Sequence, residues 1–375
     1  MIGRGRERES RRGGWRIGGP ELARLRARGI ARSIATGCAL TLAAVAMAGC
    51  GAGSGSGEAR VWPPGGSTIF SPYVDVTLTA PFDLAGVAAD AGARSLTLAF
   101  VTAAAGECRA AWGEQTAIAA PTVLAAAERL RAAGVALRIS FGGARGEELA
   151  ERCQDTSTLQ QEYASVLDRY HAVAADIDLE GGALANRPAM VRRAAALARL
   201  QAQPGRRLTV SLTLPVSPFG LSAPALDAVR TMVGAGVQLG AVNLLGMDYG
   251  IASARGHMAA ETILALGAAH RQLAALGAGL SSWKSLGVTA MVGVNEVSGE
   301  VFTLADARTL AQFADRHGLG LTSIWSLARD EPCAGSPAAA QATCSGLAAP
   351  TYAFSGAMGA HPKPGAPALR AVDLN

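Results

Sequence analysis

Short apolar runs alternate with alanine- and leucine-rich stretches along most of this chain, and this alternation constrains the fold most strongly. The runs have the length and composition of buried strands, and the stretches between them have the spacing of helices. The predicted strands are 69–78, 95–101, 136–141, 173–180, 208–214, 240–247, 286–292 and 319–325. The predicted helices are 121–133, 156–170, 188–202, 223–234, 259–276, 304–317 and 346–358.

Eight strands in such an alternation predict an α/β protein with one (β/α)8 TIM barrel, which would occupy residues 67–360. A doubly wound open sheet is the alternative. It is disfavoured because no Gly-x-Gly-x-x-Gly motif opens the first helix, and because the number of strands suits a closed ring.

Three carboxylates occupy alternate positions of the fourth predicted strand: Asp176, Asp178 and Glu180. Alternate side chains of a strand share a face, so the three point the same way and the intervening Ile177 and Leu179 point the other way. Like charges about 7 Å apart repel one another where water is scarce. We therefore expect at least one of them to hold a proton near neutral pH, as a general acid must.

Two other interpretations of these carboxylates remain open, a solvated edge strand and a calcium loop. A calcium loop requires Gly, Asn or Asp between its ligands, whereas the spacers here are branched aliphatics. An edge strand would not be bounded by aliphatic residues on its other face. Catalytic residues of barrels lie at the carboxyl ends of strands, and Glu180 closes the fourth strand.

The charge of the chain is concentrated in its first residues. The formal net charge is +5, but residues 1–49 hold ten arginines and three glutamates, which leaves 24 basic and 26 acidic residues in the remainder. That remainder has no basic patch, so we do not expect binding to nucleic acid. An arginine-rich stretch followed by the apolar run 38–48 predicts that residues 1–49 are an export signal.

The sequence Met-Ala-Gly-Cys at 47–50 resembles the lipobox of bacterial lipoproteins, which predicts lipidation at Cys50 and a lipid anchor as the one link to a membrane. An ordinary signal peptide, cut near Ala48 or in the Gly/Ser tract that follows, is the alternative. Residues 50–66, rich in Gly, Ser and Pro, would form a tether, and residues 361–375 a tail.

Beyond Cys50 the chain has four cysteines, an even number that predicts two disulfides in an exported protein. Proximity in sequence favours the pairs Cys108–Cys153 and Cys333–Cys344. The cysteines form no CxxC element and have no histidine partners, so we expect no zinc, and no other metal site is indicated.

Several motifs together resemble the family 18 glycoside hydrolases, the chitinase family. Residues 176–180 (Asp-Ile-Asp-Leu-Glu) match the second half of that family's Asp-Gly-x-Asp-x-Asp-x-Glu signature, and residues 140–143 (Ser-Phe-Gly-Gly) match its Ser-x-Gly-Gly motif. Trp325 resembles the tryptophan that floors the sugar site. Residues 71–75, 98–100 and 293–297 also resemble this group, so the likeness runs in order from about residue 68 to 358.

The resemblance implies a retaining mechanism in which the acetamido group of the substrate attacks the anomeric carbon. Glu180 would be the acid and base, Asp178 would orient the acetamido group, and Asp176 would share a proton with Asp178. No cofactor and no metal would be needed.

The sequence departs from the family pattern at the sixth predicted strand. There Met247 stands in place of a tyrosine that, in the family, contacts the reacting acetamido group. Asp248 follows it, and Tyr249 would supply a hydroxyl only if a bulge turned it inward. Further expected substrate contacts are Ser140, Trp325, Asn295 and Tyr73, of which Tyr73 fills the barrel core in an alternative reading. Trp112 and Trp283 are expected to pack loops.

The function expected from the resemblance is endo-type cleavage of chitin or N-acetylglucosamine oligosaccharides by an exported monomer. The short connection 294–318 leaves no room for an α+β insertion domain, which implies an open groove. The alternatives are an endo-β-N-acetylglucosaminidase that acts on N-glycans and a chitinase-like protein that binds sugar without cleaving it. Glu180 argues against the latter, and Met247 favours it.

Overall fold

A computed structural model of the chain describes residues 68–78, 83–277, 279–335, 337 and 339–359. The predictions for the export signal 1–49, for lipidation at Cys50, for the tether 50–66 and for the tail 361–375 fall outside these residues. None of the described helices is both long and apolar enough to cross a membrane.

Eleven of the described strands form one large sheet whose ring neighbours are parallel, and the other two, Gly293–Val294 and Val301–Phe302, form a separate antiparallel pair. The strands are β1 (Ile69–Phe70), β2 (Tyr73–Asp75), β3 (Ser95–Ala103), β4 (Ala110–Trp112), β5 (Thr116–Ala117), β6 (Ala136–Gly142), β7 (Ala174–Asp178), β8 (Thr209–Pro215), β9 (Leu239–Gly246), β10 (Leu286–Met291), β11 (Gly293–Val294), β12 (Val301–Phe302) and β13 (Leu321–Trp325).

The first strand closes the sheet into a barrel, because β1 pairs with β13 and β2 pairs with β3. Two residues, Ser71 and Pro72, separate β1 from β2, so β1 and β2 act as one interrupted strand. This strand lies between β13, the last strand of the ring, and β3, the second. With β6 to β10 in between, the ring has eight positions, as the sequence predicts. The hairpin β4–β5 extends β3 outside the ring.

Helices follow the strands and cover the outside of the barrel. They are α1 (Leu84–Asp90), α2 (Pro121–Ala132), α3 (Leu149–Arg152), α4 (Thr156–Arg169), α5 (Arg187–Gln201), α6 (Ala223–Gly234), α7 (Met258–Leu276), α8 (Leu304–His317) and α9 (Ala353–Met358). Their apolar faces pack on outward strand residues such as Ile177 and Leu179, which are fully buried. Burial on both faces explains why the strands read as continuous apolar runs.

Polar side chains at the first turns fix where the main helices begin. Asp155, Asn186, Ser222 and Thr303 each accept a hydrogen bond from the backbone of the helix that follows, and Thr303 forms a capping box with Asp306. Each cap satisfies backbone N–H groups that have no partner within the helix. The βα loops at the carboxyl ends of the strands therefore end at defined residues.

The last helix is shorter than the sequence indicates. A helix over 346–358 is predicted, but α9 begins at Ala353, because Pro350 has no N–H to donate and Tyr352 adopts a left-handed backbone with φ of 56°. Helix α1 is not predicted at all, since seven residues are too few to show helical periodicity. The connection from β10 to β13 holds the hairpin β11–β12 and α8, with no α+β insertion, as expected.

Both expected disulfides, Cys108–Cys153 and Cys333–Cys344, are present. The first lies between the β3–β4 connection and the end of α3, and it closes 45 residues that include β6. The second closes 11 residues after β13. Each bridge ties down a long loop at the end of a barrel strand.

Removal of the longer bridge is expected to cost more stability than removal of the shorter one. The loop-entropy relation gives about 4 kcal/mol for Cys108–Cys153 and about 3 kcal/mol for Cys333–Cys344. Double serine variants, C108S/C153S and C333S/C344S, unfolded in urea, measure the two free energies of unfolding. A larger loss for C333S/C344S would contradict the entropic account.

Candidate active site

The barrel lumen is lined with small polar side chains beneath its carboxyl-terminal mouth. Tyr73 of β2 makes hydrogen bonds to residues of β7, β8 and β9, which is possible only across the lumen. The amide of Asn243 donates to Tyr73, Thr213 and Thr289, and so joins β9 to β2, β8 and β10. This network is buried and surrounds one carboxylate, that of Asp176.

Asp176 accepts hydrogen bonds from four hydroxyls. Tyr73 and Ser140 donate to Oδ2 at 2.8 Å each, Thr213 donates to Oδ1 at 2.7 Å, and Ser211 donates to the same oxygen. Each oxygen of this buried carboxylate therefore accepts two hydrogen bonds, which replace the water lost on burial. Burial, and then the charges of the two aspartates, raise the pKa of Tyr73, so its hydroxyl remains a donor.

Asp178 lies one step nearer the mouth and is 2% exposed, and its Oδ1 has no hydrogen-bond partner. Burial, and then the charges of Glu180 and Asp176, raise its pKa well above the usual range. Burial and the neighbouring negative charges therefore favour the protonated form of Asp178, and its Oδ1 stays available to a bound molecule.

The expectation that Asp176 and Asp178 share a proton stays a prediction. None of the hydrogen bonds among the described residues joins the two carboxyl groups, because the four hydroxyls occupy both oxygens of Asp176. The two residues influence each other through charge. Their surroundings differ, with four hydroxyl donors around Asp176 and an unpartnered Oδ1 on Asp178.

Glu180 follows β7 and precedes a short 3₁₀ turn, Gly181–Leu184, and it is less deeply buried than the two aspartates. Burial, and then the charges of Glu296 and Asp248, raise the pKa of Glu180 to about 7. The carboxyl is therefore about half protonated at neutral pH. A group in that state can both give and take a proton during a reaction.

Asp248 is held at the mouth by the loop that contains β11 and β12. Its backbone is left-handed, with φ of 50°, and its Oδ1 accepts the N–H of Val297 at 2.9 Å. The buried carboxylate of Glu300 accepts the N–H groups of Tyr249 and Gly250 at 2.9 and 2.8 Å. This arrangement fixes the Asp248 side chain near Glu180. Burial raises the pKa of Asp248, and the hydrogen bond from Val297 opposes that rise.

Two predicted substrate contacts are wrong. Asn295 donates to the carbonyls of Met291 and Gly293 and accepts from the N–H of Asp248, so its whole amide is used within the protein. The hydroxyl of Tyr249 donates to Thr262 of α7, on the helical side of β9, and no bulge turns it inward. Asn295 braces the loop that holds Asp248, and Tyr249 packs the outside of the barrel.

Ser140 and Tyr73 are brought to the site as predicted, but they lie beneath it and bind Asp176. Both are buried, so they support the carboxylate and are not placed to touch a ligand. Met247 follows β9 and is half-buried beside Asp248, and its contact with substrate stays a prediction.

An aromatic surface borders the carboxylates. Trp325 at the end of β13 is half-buried and packs against Phe100, with ring centroids 5.3 Å apart, and against the edge of Tyr73 at 6.0 Å. Such a ring offers an apolar face of the kind that ligands stack on. Trp112 is fully buried and donates to the hydroxyl of Tyr170, and Trp283 stacks on His270, so both pack within the protein as expected.

The two glycines of the Ser-Phe-Gly-Gly motif have a steric purpose. A Cβ at Gly142, where φ is +104°, would collide with the carbonyl oxygen of Asp178. A Cβ at Gly143, where φ is +90°, would meet the Phe100 ring at 2.8 Å. Only glycine adopts these backbone angles without strain and allows both contacts. The motif therefore places the end of β6 directly against the carboxylate strand and the aromatic surface.

Sequence reasoning missed two charged residues of the site. Glu296 is exposed, and its charge acts on both Glu180 and Asp248. Arg329 is buried behind them and donates to the carbonyls of Val292 and Val294 at 2.9 and 2.6 Å. Burial lowers the pKa of Arg329 to about 10. The sequence contained one signal for Arg329, because an arginine stands inside an apolar segment four residues after Trp325.

No three His, Cys, Asp or Glu side chains of the described ranges are arranged as a metal site. What the arrangement offers is proton transfer: Asp176 held by four hydroxyls, Asp178 with a raised pKa and a free oxygen, and Glu180 with a pKa of about 7, next to an aromatic surface.

The raised pKa of Glu180 predicts a pH-dependent effect of E180Q on stability. The folded protein binds the proton more tightly than the unfolded chain, so wild-type stability falls as pH rises from about 4.5 through 7. Glutamine lacks this ionisation. We expect E180Q to melt at the same temperature as wild type at pH 4 and at a higher temperature at pH 8.

The matched control is E128Q, because Glu128 is exposed on α2. Its melting temperature should follow wild type at both pH values. An E180Q variant that is less stable than wild type at pH 8 would contradict the burial of an ionisable group at this position.

No protein-family model matches the sequence. Among curated proteins, the chain is 34% identical over 290 residues to a protein of Escherichia coli K12 described as a probable bifunctional chitinase/lysozyme. It is 34% identical over 293 residues to endochitinase 11 of Metarhizium anisopliae. Each match covers 73% of this chain, but the chain spans only 32% and 54% of the length of these two relatives.

Solved structures give a match over nearly a whole domain. Active domain 2 of a chitinase from Pyrococcus furiosus is 30% identical, with a TM-score of 0.70 that covers 78% of this chain and 94% of that one. A family 18 chitinase from Pseudoalteromonas aurantia, 15% identical with a TM-score of 0.53 over 70% of this chain and 96% of that one, supports the fold alone. These likenesses, and the barrel with its carboxylate series, show that the chain belongs to the family 18 glycoside hydrolases, the chitinase family.

Proposed function

We propose that this protein is an endo-type chitinase that hydrolyses β-1,4-linked N-acetylglucosamine polymers with retention of configuration. The observation that carries the proposal is a glutamic acid with a pKa of about 7 at the barrel mouth, next to a buried Asp178 that has a raised pKa and a free oxygen. The names of its relatives in Escherichia coli, Metarhizium anisopliae and Pyrococcus furiosus support the substrate class.

In the first step Glu180 gives its proton to the glycosidic oxygen as the bond to the anomeric carbon breaks. The acetamido oxygen of the same sugar attacks that carbon and forms a cyclic oxazolinium ion. In the second step the Glu180 carboxylate takes a proton from water, whose oxygen attacks the anomeric carbon and reopens the ring. Two inversions at one carbon retain its configuration.

Asp178 would bind the acetamido N–H and orient the group for attack. Its free Oδ1 accepts that hydrogen bond, and the bond grows stronger as positive charge develops on the ring, so it favours the transition state. Asp176 keeps a fixed negative charge beneath it, held by four hydroxyls. Trp325 would stack on the sugar at the cleavage point, and Asp248 and Met247 would border the same subsite.

The experiment that tests this function is the hydrolysis of chitin hexamer with the anomer of the fresh product followed by NMR. We expect internal cleavage, and the β-anomer should form first. E180Q should lower turnover by at least a hundredfold, in the range of general acid catalysis, and still bind the oligomer. E128Q serves as the matched control and should cleave at the wild-type rate.

The same assay separates the alternatives. Cleavage of a high-mannose glycopeptide and not of chitin oligomers would identify an endo-β-N-acetylglucosaminidase. Binding of oligomers by wild type without any turnover would identify a sugar-binding protein, and an α-anomeric first product would contradict the retaining mechanism.

The rate should also depend on pH through Glu180. The acid must be protonated in the free enzyme, so kcat/KM should fall about tenfold per pH unit above its pKa of about 7. A pH series from 4 to 9 measures this limb. A limb centred near 4.5, the usual value for glutamate, would contradict the effect of burial and neighbouring charge.

We also propose that the protein is exported and anchored through a lipid on Cys50, and that it acts as a monomer. The arginine-rich start, the apolar run 38–48 and the Met-Ala-Gly-Cys sequence support export and anchoring. The two disulfides fit an oxidising compartment.

A further inference from the structure

Arg138 lies inside the barrel, beneath the carboxylates. It precedes Ser140 by two residues on β6, so both side chains point into the lumen. Arg138 is 3% exposed, and its Nη2 donates to the hydroxyl of Ser211 at 2.5 Å. That hydroxyl in turn donates to Oδ1 of Asp176. One hydroxyl therefore connects a buried guanidinium to the buried carboxylate.

Arg138 makes no direct ion pair among the described residues, and its Nε has no partner. By contrast Arg193, a buried arginine of α5, pairs directly with Glu148 at 2.6 Å. An uncompensated buried cation is costly, by several kcal/mol for an isolated ion. The anion that Arg138 reaches is Asp176, through Ser211.

We propose that Arg138 is a positioning residue that keeps Asp176 ionised through Ser211, so that the proton of the aspartate pair stays on Asp178. The proposal rests on the proposed function, because it is the protonation of this pair that would prepare the site for the acetamido group. The reason is electrostatic. A buried carboxylate that lacks a nearby cation takes up a proton more readily, and Arg138 is the cation that reaches Asp176 from below, through Ser211.

Among the described charged and titratable groups that surround Asp176, Arg138 is the cation. Strand β2 contributes Tyr73, which stays neutral, and β7 contributes Asp178 and Glu180. The side chains that β8, β9 and β10 turn toward this network are neutral: Ser211, Thr213, Asn243 and Thr289. Glu296, Asp248 and Arg329 lie farther out, around Glu180.

Two hydrogen bonds that share one oxygen place the guanidinium within about 5 Å of the carboxylate. An opposite charge at that distance moves the pKa of a carboxyl by about 1 to 3 units. Without the positive charge of Arg138, the pair Asp176 and Asp178 takes up its second proton at a higher pH. The acid limb of the pH–rate profile therefore moves up, while the basic limb, set by Glu180 farther away, moves less.

The test compares the pH dependence of kcat on chitin hexamer for wild type, R138M and R138K. We expect the acid limb of R138M to rise by about one pH unit. R138K keeps the charge and should restore the limb. S211A removes the connecting hydroxyl and should shift the limb in the same direction, and R138M/S211A should shift it no further than R138M alone.

The matched control is R193M/E148Q, which replaces a buried arginine and its partner outside the lumen. It should change the melting temperature and leave both pH limbs in place. Equal limbs in R138M and wild type would overturn the proposal and leave Arg138 a structural residue. If R138M does not fold, S211A and R138K test the proposal in its place. An acid limb of S211A at the same pH as in wild type then overturns the proposal.

A measurement that does not depend on catalysis separates the role of Arg138 from the proposed function. The ¹³C carboxyl resonances of Asp176 and Asp178 report ionisation of each group directly. In wild type at pH 5 we expect an ionised Asp176 and a protonated Asp178, and in R138M a protonated fraction at Asp176. If wild type cleaves no chitin oligomer, the proposed function fails, whereas the NMR titration still decides the role of Arg138.

Discussion

The ionised carboxylate of Asp176 and the hydroxyls that hold it are the interaction on which the site depends. Tyr73, Ser140, Ser211 and Thr213 come from three strands other than that of Asp176, and all four donate to it. A buried charge is stable only with such compensation, so the four strands must be in register for the barrel interior to form. The same interaction therefore stabilises the lumen and sets the negative charge beneath the reacting groups.

Depth in the barrel then distinguishes three carboxylates of similar chemistry. Asp176 is surrounded by hydroxyl donors, Asp178 is buried with a free oxygen and a raised pKa, and Glu180 lies at the mouth with a pKa of about 7. The strand repeat of about 7 Å between alternate residues keeps them close enough to interact through charge and far enough apart to have different surroundings. Separate proton affinities on one strand allow separate roles in one reaction.

The loops around the mouth hold this arrangement in place. Gly142 and Gly143 allow β6 to approach Asp178 and Phe100, and Glu300 and Asn295 fasten the turn that carries Asp248. The two disulfides close loops that follow β3 and β13, at the carboxyl ends of these strands. Side chains that touch a ligand are therefore supported by buried residues that do not, which is the arrangement a preorganised site requires.

The sequence by itself determined the barrel, the carboxylate series, both disulfides and the lack of an insertion domain, because periodicity, strand alternation and cysteine spacing are local properties. It did not determine that Asn295 braces a loop, that Tyr249 faces α7, that Glu296 acts on Glu180 or that Arg138 reaches Asp176. Three of these depend on residues more than thirty positions apart, as with Arg138 and Ser211, and Tyr249 meets a residue of α7 that is 13 positions away. Tertiary structure decided them, because a side chain's partners are set by which strands are neighbours and in what register.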